Sequence, residues 1–260
     1  MYRFEQALLR EPSASCVRGL RAVDRGAPDP VRFVDQHRAY ALALETAGLG
    51  VTVLAPDELH PDSVFVEDPA LCLHEAAVLL RPAAVTRAGE TVGLLPALHA
   101  LYGRAVERVV EGTIEGGDIL VLEEEILIGL SARTNARGAA SLTHVLAPLG
   151  YQVRVTEVPA GVLHLKSDCA TLGDGHVLAT RRLAASGVFD GYEVIEVPQG
   201  EETGANAVRV NDRVLLARGY PRTAERLTAA GYAVVELDIS EAQKLDGGLS
   251  CMSLRKPHPR

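Results

Sequence analysis

The order of hydrophobic and polar residues repeats along the chain. Each copy begins with an apolar strand pattern, continues through a helical stretch and a glycine, and ends with a second apolar strand pattern. In the two clearest copies, an Arg-Thr pair precedes the helical stretch and a Gly-Tyr pair follows it. The clear copies span residues 126–155 and 214–237, weaker copies span 77–110 and 176–197, and a first copy combines a helix at 31–47 with a strand at 51–54.

These five units predict an α/β fold closed into a ring. A unit of roughly 40–50 residues cannot bury its own apolar face, and closing the array removes its exposed ends. The helices are one-sided, as in the third unit, where Ala139, Leu142, Leu146 and Leu149 form one apolar stripe. We expect the glycine after each helix to take the left-handed conformation that ends helices.

Short polar segments stand between the units. Residues 62–68 have the alternation of a strand that ends in two carboxylates. Glu115 and Asp118 flank a glycine pair, and His164 stands among aliphatic residues. A strand end in solvent, a tight turn and a core histidine are the plainer interpretations of these three segments. Residues 201–206 and 246–248 occupy the corresponding places in the last two units. Because equivalent points of a ring meet at its axis, we expect a pocket there.

Composition narrows the kind of protein. The chain has 260 residues, 47% of them hydrophobic, which suits one large globular domain or two small ones. Its net charge of −8 disfavours nucleic acid or an anionic membrane surface as a partner. The sequence has neither the apolar run of a signal peptide nor that of a membrane span, so we expect a cytoplasmic protein. The four cysteines are far apart, which favours neither a zinc site nor a disulfide framework.

Cys251 is a candidate nucleophile. Cys251 follows Gly247 and Gly248 near the C-terminus. A single cysteine is often a small buried hydrophobe, but a free thiol in a reducing compartment is also a nucleophile. Cys251 and His164 make a nucleophile–base pair, and Glu115 is a carboxylate that can orient the imidazole.

Charged residues elsewhere suit the two ends of one small substrate. Asp62, Glu67 and Asp68 can hold a planar cation by charge-assisted hydrogen bonds. Arg87 and Arg133 end predicted strands and can grip a carboxylate, although each is also explained as a solvated residue at a helix start. A molecule with a guanidinium at one end and a carboxylate at the other matches these groups. That description fits arginine or a modified arginine.

Five motifs, in the same order and spacing, strongly resemble the bacterial dimethylarginine dimethylaminohydrolases, a family of the guanidine-modifying superfamily. The resemblance covers essentially the whole chain. The motifs are Asp62-Ser-Val-Phe-Val-Glu-Asp68, Gly112-Thr-Ile-Glu-Gly-Gly-Asp118, Ser131-Ala-Arg-Thr-Asn135, Val162-Leu-His-Leu-Lys166 and Lys244-Leu-Asp-Gly-Gly-Leu-Ser-Cys-Met-Ser-Leu254.

The resemblance implies a five-bladed α/β propeller, with residues 1–260 forming a single catalytic domain. It implies that Cys251 attacks the guanidinium carbon, that His164 protonates the departing amine and then activates water, and that Glu115 orients His164. The products would be citrulline and dimethylamine, formed through a covalent thiouronium intermediate without a metal or an organic cofactor. The family resemblance also allows a homodimer.

The resemblance assigns further positions to substrate binding. Family members often read Arg-Pro-Gly-Ala-x-Ser-Arg-Arg, whereas this chain has Arg81-Pro-Ala-Ala-Val-Thr-Arg87-Ala88, so Arg87 is kept and its neighbour is not. The backbones of Leu20 and Leu245 would contact the substrate. The polar tail after Leu254 is given no role. The full substrate-binding set is Leu20, Asp62, Glu67, Asp68, Arg87, Arg133 and Leu245.

Three alternatives remain open. Arginine deiminase shares the same catalytic logic and releases ammonia, but it usually carries a larger helical insertion than 260 residues allow. A non-catalytic binding propeller would not need Cys251, His164 and Glu115 together. A metal protein is disfavoured because Cys251 and His164 lack a partner at ligand spacing.

Overall fold

The structure is a computed structural model that describes residues 1–123 and 125–259. Its strands are β1 (Phe4–Arg10), β2 (Gly50–Leu54), β3 (Ala70–Cys72), β4 (Ala77–Leu79), β5 (Val106–Arg108), β6 (Ile119–Val121), β7 (Ile126–Leu130), β8 (Val153–Glu157), β9 (Cys169–Gly173), β10 (His176–Ala179), β11 (Glu193–Glu196), β12 (Val208–Val210), β13 (Arg213–Ala217), β14 (Ala233–Leu237) and β15 (Leu254–Pro257). Its α-helices are α1 (Pro30–Thr46), α2 (Glu90–Tyr102), α3 (Ala136–Leu146), α4 (Arg181–Ala184), α5 (Pro221–Ala229) and α6 (Ser240–Gln243).

The strands form five sheets of three strands each. In every sheet the middle strand pairs antiparallel with one neighbour and parallel with the other. We call the sheets blades I to V. They are β15-β1-β2, β3-β4-β5, β6-β7-β8, β9-β10-β11 and β12-β13-β14. The five predicted units and the five-bladed α/β propeller are thus confirmed.

The apolar core lies between the blades. Each of five buried clusters joins residues of two neighbouring blades with a helix. In one of them, Leu142 and Leu146 of α3 pack with Val78 of blade II and Ile128 of blade III. Because such a cluster also joins blade V to blade I, the ring is closed by side-chain packing as well as by strand pairing.

The C-terminal strand closes the first blade. β15 runs antiparallel to β1, with Leu254 opposite Leu8 and Pro257 opposite Phe4. The tail after Leu254, to which the sequence assigned no role, therefore completes blade I. Since Cys251 stands just before this strand, closure of the ring also fixes the turn that carries the thiol.

Local sequence explains the helices. The Asp29 side chain accepts hydrogen bonds from the first turn of α1, where Pro30 occupies a position that needs no donor. The expected left-handed glycines follow α3 and α5, with φ of 80° at Gly150 and 90° at Gly231. The fourth unit has a single helical turn, α4, where the repeat predicted a longer helix. Among the described residues, no helix is long and apolar enough to cross a membrane.

The segment 62–68 differs from its prediction. It forms consecutive turns rather than an alternating strand, with the Phe65 amide donating to the Asp62 carbonyl at 2.9 Å. All seven side chains are buried, so the segment has no solvent face. Asp62 and Asp68 line a cavity at the axis, whereas Glu67 does not line it. Asp62, Glu67 and Asp68 are consequently buried charges.

Candidate active site

The predicted polar segments lie at the same point of all five blades. Each stands just before the first strand of its blade in the order given above, and it ends near the ring axis. Four of these segments contain a 3₁₀ turn, and the fifth is the run of turns at 62–68. The turns are Gly116–Asp118 before β6, Leu165–Ser167 before β9, Glu202–Ala205 before β12 and Ser250–Met252 before β15.

The segments enclose a cavity with two chambers. The narrow chamber has a volume of about 160 Å³ and the wide chamber about 470 Å³. Both are lined by His164 and Cys251, which therefore stand where the chambers meet. Of the predicted site residues, all of which the structure describes, only Glu67 is absent from the walls of the narrow chamber. Those walls include Leu20, Asp62, Asp68, Arg87, Glu115, Arg133, His164, Leu245 and Cys251.

His164 is held by a buried carboxylate. Its Nε2 lies 2.7 Å from Oε2 of Glu115, which is fully buried and accepts the Ala83 amide on its other oxygen. Burial alone would lower the pKa of the imidazole, but the charge of Asp68, the hydrogen bond with Glu115 and the charge of Asp118 raise it to about 9. The side chain is therefore an imidazolium at neutral pH.

The glycine pair between Glu115 and Asp118 permits this packing. A Cβ on Gly117 would lie 2.6 Å from Cγ of the imidazole, and one on Gly116 would overlap the Glu67 carbonyl. The Gly117 amide donates to Asp68 at 3.1 Å. The tight turn and the functional site are thus the same feature.

Asp118 and the histidine turn are linked as well. The Asp118 carboxylate accepts the Leu165 amide at 2.9 Å and the Ser131 hydroxyl at 2.7 Å. Sequence reasoning noticed Asp118 beside the glycine pair but left it outside the site. Its place beside Glu115 in the same motif was the available signal.

Cys251 is the partly exposed member of four free cysteines. Although the residue keeps some contact with solvent, burial of its surroundings raises the pKa of its thiol to about 12, and the charges of Glu67 and Asp68 act in the same direction. The thiol is therefore protonated at neutral pH. Its backbone is fixed by the Glu67 amide, which donates to the Cys251 carbonyl at 3.1 Å.

Arg87 lies deeper than the sequence suggested. It ends the 3₁₀ turn Val85–Arg87 and is 4% exposed. Its guanidinium lies 2.6 Å from Asp68 and 2.8 Å from Glu90, and it also donates to the Phe65 carbonyl. Each of its nitrogens is thus bonded within the protein. Burial would raise the pKa of Asp68, but the charge of Arg87 outweighs it and lowers that pKa, so Asp68 is an anion.

Arg133 is the more accessible arginine of the narrow chamber. Its side chain is 24% exposed, and its Nη1 lies 3.6 Å from Oε1 of Glu115. Leu20 contributes a backbone amide that donates to Asp62 at 2.9 Å. These groups place a cationic end and polar backbone in one chamber with the carboxylates.

The Glu67 carboxylate turns away from both chambers. It accepts Lys166 Nζ at 2.5 Å, Ser250 Oγ at 2.8 Å and Arg255 Nη2 at 3.1 Å. Sequence reasoning missed all three partners. Lys166 lies within the histidine motif, but Arg255 lies in the polar tail that is given no role. A buried glutamate needs cationic partners, yet the sequence does not say which ones.

Three side chains offer possible metal ligands. One atom each of Asp68, Glu115 and His164 lie within 4.8 Å of one another. The sequence had disfavoured a metal because it sought the partners of His164 among cysteines and histidines. A metal ion here would require a neutral imidazole released from Glu115, whereas the same carboxylates favour the protonated ring.

Comparisons with known proteins identify the family of the chain. A five-bladed propeller with a thiol, an imidazolium and buried carboxylates at its axis is the architecture of guanidine-modifying enzymes. A family model described as arginine deiminase matches residues 38–162. The dimethylarginine dimethylaminohydrolase of Pseudomonas aeruginosa is 42% identical over 97% of this chain and 99% of its own. The chain belongs to the dimethylarginine dimethylaminohydrolase family.

Solved structures extend the likeness to three dimensions. A cysteine-to-serine variant of the Pseudomonas aeruginosa enzyme in complex with citrulline has a TM-score of 0.95 and covers 98% of this chain and 100% of its own, at 42% identity. A histidine-to-glycine variant of a dimethylarginine dimethylaminohydrolase, solved as an adduct with S-methyl-L-thiocitrulline, has a TM-score of 0.94 at 41% identity, over 97% of this chain and 99% of its own.

The packing of Gly117 against the imidazole can be tested directly. We expect Gly117→Ala to push the ring away from Glu115 and Asp68, because the added methyl group would lie 2.6 Å from its Cγ. The His164 pKa, followed by NMR titration, should then fall from about 9 towards its usual 6.5. Gly50→Ala is the matched control, since the atom nearest its Cβ is 3.8 Å away. An unchanged His164 pKa in Gly117→Ala would contradict this account.

Proposed function

We propose that this protein hydrolyses Nω-methylated arginines, namely asymmetric dimethylarginine and monomethylarginine, to citrulline and a methylamine. The observation that carries the proposal is the charge arrangement of the narrow chamber. Cys251 and His164 share that chamber with the carboxylates of Asp62, Asp68 and Glu115 and with the partly exposed guanidinium of Arg133. Related enzymes bind citrulline and a thiocitrulline in this fold, which supports the same substrate class.

The substrate lies along the narrow chamber. Asp68 holds the guanidinium by charge-assisted hydrogen bonds, and Asp62 adds a second carboxylate. Arg133 binds the α-carboxylate, while the backbones of Leu20 and Leu245 contact the amino-acid end. Family resemblance also assigns Arg87 and Glu67 to substrate binding. Because their charged groups are bonded within the protein, we assign them to fixing Asp68 and the thiol turn instead.

The first half of the reaction cleaves the C–N bond. As the guanidinium approaches, its positive charge lowers the thiol pKa and Cys251 releases its proton to solvent water, since His164 is already protonated. The thiolate adds to the guanidinium carbon, and the imidazolium of His164 donates its proton to the substituted nitrogen. The C–N bond then breaks with its electron pair on nitrogen, so that the amine leaves and a thiouronium remains on Cys251.

The second half returns the enzyme to its resting state. His164, now neutral, takes a proton from a water molecule that attacks the thiouronium carbon. The C–S bond breaks with its electron pair on sulfur, and the oxygen of water becomes the ureido oxygen of citrulline. One proton of that water has made His164 an imidazolium again, and the second returns the Cys251 thiolate to the thiol. Glu115 holds the ring through both proton transfers of His164.

A citrulline assay with dimethylarginine, monomethylarginine and arginine tests the proposal. Cys251→Ser should keep the fold and lose nearly all turnover, because an alcohol is a poor nucleophile at neutral pH. Cys169→Ser is the control, since that buried cysteine lies outside both chambers. Retention of more than about a tenth of wild-type turnover in Cys251→Ser would reject the covalent role.

The same assay addresses the second candidate. The family model described as arginine deiminase favours arginine itself as an alternative substrate. Faster release of ammonia from arginine than of dimethylamine from dimethylarginine would establish that alternative. Absence of citrulline from all three substrates would favour a binding protein instead.

The His164 pKa predicts the alkaline limb of the pH profile. The imidazolium that protonates the amine is present below a pKa of about 9 and is lost as the pH rises through it, so kcat should fall there. Glu115→Gln removes one of the carboxylates that raise this pKa, and the limb should therefore move to lower pH. Glu111→Gln makes the same change at an exposed site and should leave it in place. An alkaline limb at the wild-type pH in Glu115→Gln would contradict the assignment of this limb to His164.

Arg133 is expected to bind the α-carboxylate. Arg133→Ala should raise KM for methylarginines about 10–100-fold, because a charged hydrogen bond contributes about 1.5–3 kcal/mol. It should change turnover of an N-methyl-N′-alkylguanidine, which has no carboxylate, much less. Arg137→Ala is the control, since Arg137 is 79% exposed and pairs with Glu111. Equal losses with both substrates would exclude the role.

Three further points belong to the proposal. Residues 1–260 act as one catalytic domain. Pairing of the last strand, β15, with the first, β1, in one blade supports this. The protein works in the cytoplasm, where the free state of its four cysteines would persist. A homodimer is the assembly that the family resemblance favours.

A further inference from the structure

One polar segment at the axis has no place in the mechanism above. It is the segment of blade V, where the turn Glu202–Ala205 is followed by Asn206. Asn206 is partly buried and lines the wide chamber, but not the narrow one. Its side chain therefore stands beside the site without reaching the proposed substrate position.

The Asn206 amide is bonded at both ends. Its Nδ2 donates to the Lys166 carbonyl at 2.8 Å and to Ser250 Oγ at 3.0 Å. Its Oδ1 accepts the Ser250 amide at 3.0 Å. One side chain thus joins two segments that are far from it in sequence, and each of its polar atoms is used.

The two segments that it joins carry the two reacting groups. Lys166 belongs to the turn Leu165–Ser167, which follows His164 directly. Ser250 precedes Cys251 in the turn Ser250–Met252. Asn206 is therefore a bridge between the histidine turn and the cysteine turn, and its length sets how far apart they stand.

The Asn206 bridge requires a glycine at position 248. A Cβ on Gly248 would overlap the Asn206 side chain, so the absence of a side chain at 248 lets the amide reach Ser250. The Ser250 hydroxyl also donates to the Glu67 carboxylate at 2.8 Å. Glu67 in turn binds Lys166 at 2.5 Å. The bridge is thus one side of a closed hydrogen-bonded loop behind the thiol.

We propose that Asn206 is a positioning residue that fixes the separation of the Cys251 sulfur and the His164 imidazole. It acts through Ser250 and the Lys166 carbonyl and touches neither reacting group. The inference rests on the proposed function, since it concerns the two groups that carry that reaction. A misplacement of about 1 Å in such a pair costs about 10²-fold in rate.

Asn206→Ala should therefore act on kcat and spare KM. We expect kcat for dimethylarginine to fall about 10–100-fold, because the sulfur and the proton donor lose their fixed spacing. KM should stay within about threefold, since the narrow chamber that binds the substrate is unchanged. Ser250→Ala keeps the Ser250 amide on Asn206 and should produce a smaller loss of kcat, again with little change in KM.

Asn211→Gly is the matched control. Asn211 also bridges distant segments with three hydrogen bonds, to the Phe4 amide and carbonyl and to the Ala47 carbonyl, at 2.9, 3.2 and 2.8 Å. It lies away from both chambers, and its φ of 54° suits glycine. Asn211→Gly should lower the melting temperature without lowering kcat per folded molecule. A merely structural role for Asn206 would give this same result.

The outcomes separate clearly. Unchanged kcat in folded Asn206→Ala, or a loss carried by KM, would overturn the inference. If Asn206→Ala does not fold, Ser250→Ala decides, and wild-type kcat in that variant would overturn it equally. Wild-type protein is assayed alongside: if it forms no citrulline from any of the three arginines, the proposed function has failed. If it is active and the Asn206 and Ser250 variants match it, only the present inference has failed.

Discussion

Burial of charge at the ring axis is the constraint on which the rest of the structure depends. Removing an ion from water costs several kcal/mol unless a partner of opposite charge and further hydrogen bonds replace the solvent. Three of the buried carboxylates at the axis have such a partner, whereas Asp62 and Asp118 accept hydrogen bonds from backbone amides and a hydroxyl. The pairs are Asp68 with Arg87, Glu67 with Lys166, and Glu115 with His164. The pairs Glu67–Lys166 and Glu115–His164 therefore connect the segments of different blades at the axis, while Asp68–Arg87 lies within blade II.

The same buried carboxylates act on both groups that are proposed to react. The thiol of Cys251 is kept protonated by its buried, anionic surroundings, and the imidazole is kept protonated by the same carboxylates. In the proposed reaction, the guanidinium of the substrate adds a positive charge beside the thiol, which favours the thiolate. The proposal therefore couples formation of the nucleophile to substrate binding. The acid needs no such activation, since it already carries its proton.

Much of the fold could be predicted from the sequence because its signals are local. Strand, helix and glycine recur with a regular period, and closure of a five-unit ring brings equivalent segments to one axis. Convergence of His164, Glu115 and Cys251 on one cavity followed from that closure. The family resemblance added roles for individual residues, and the narrow chamber brings together all of those residues except Glu67.

The failures have physical reasons too. Alternation at 62–68 looked like a strand because buried turns can alternate polar and apolar residues as well. The cationic partners of Glu67 could not be predicted from the sequence, because Lys166 and Arg255 lie far from it along the chain. The closing strand β15 is not predicted from the sequence, because its residues Arg255, Lys256 and Pro257 are polar or strand-breaking. It forms nevertheless, since an edge strand needs only one set of backbone partners and tolerates a terminal proline.

The pairing of β15 with β1 has a consequence for how the molecule acquires activity. The first and last strands meet across nearly the whole chain, so their contact carries a large loop-closure entropy and comes late unless the other blades have already assembled. The thiol arrives with that last strand. A nascent or partly folded chain can thus have four blades, the histidine and its carboxylates in place and still lack the thiol in the site. Such a chain would not catalyse the proposed reaction. Ring closure then serves as the final assembly step that turns a scaffold into an enzyme.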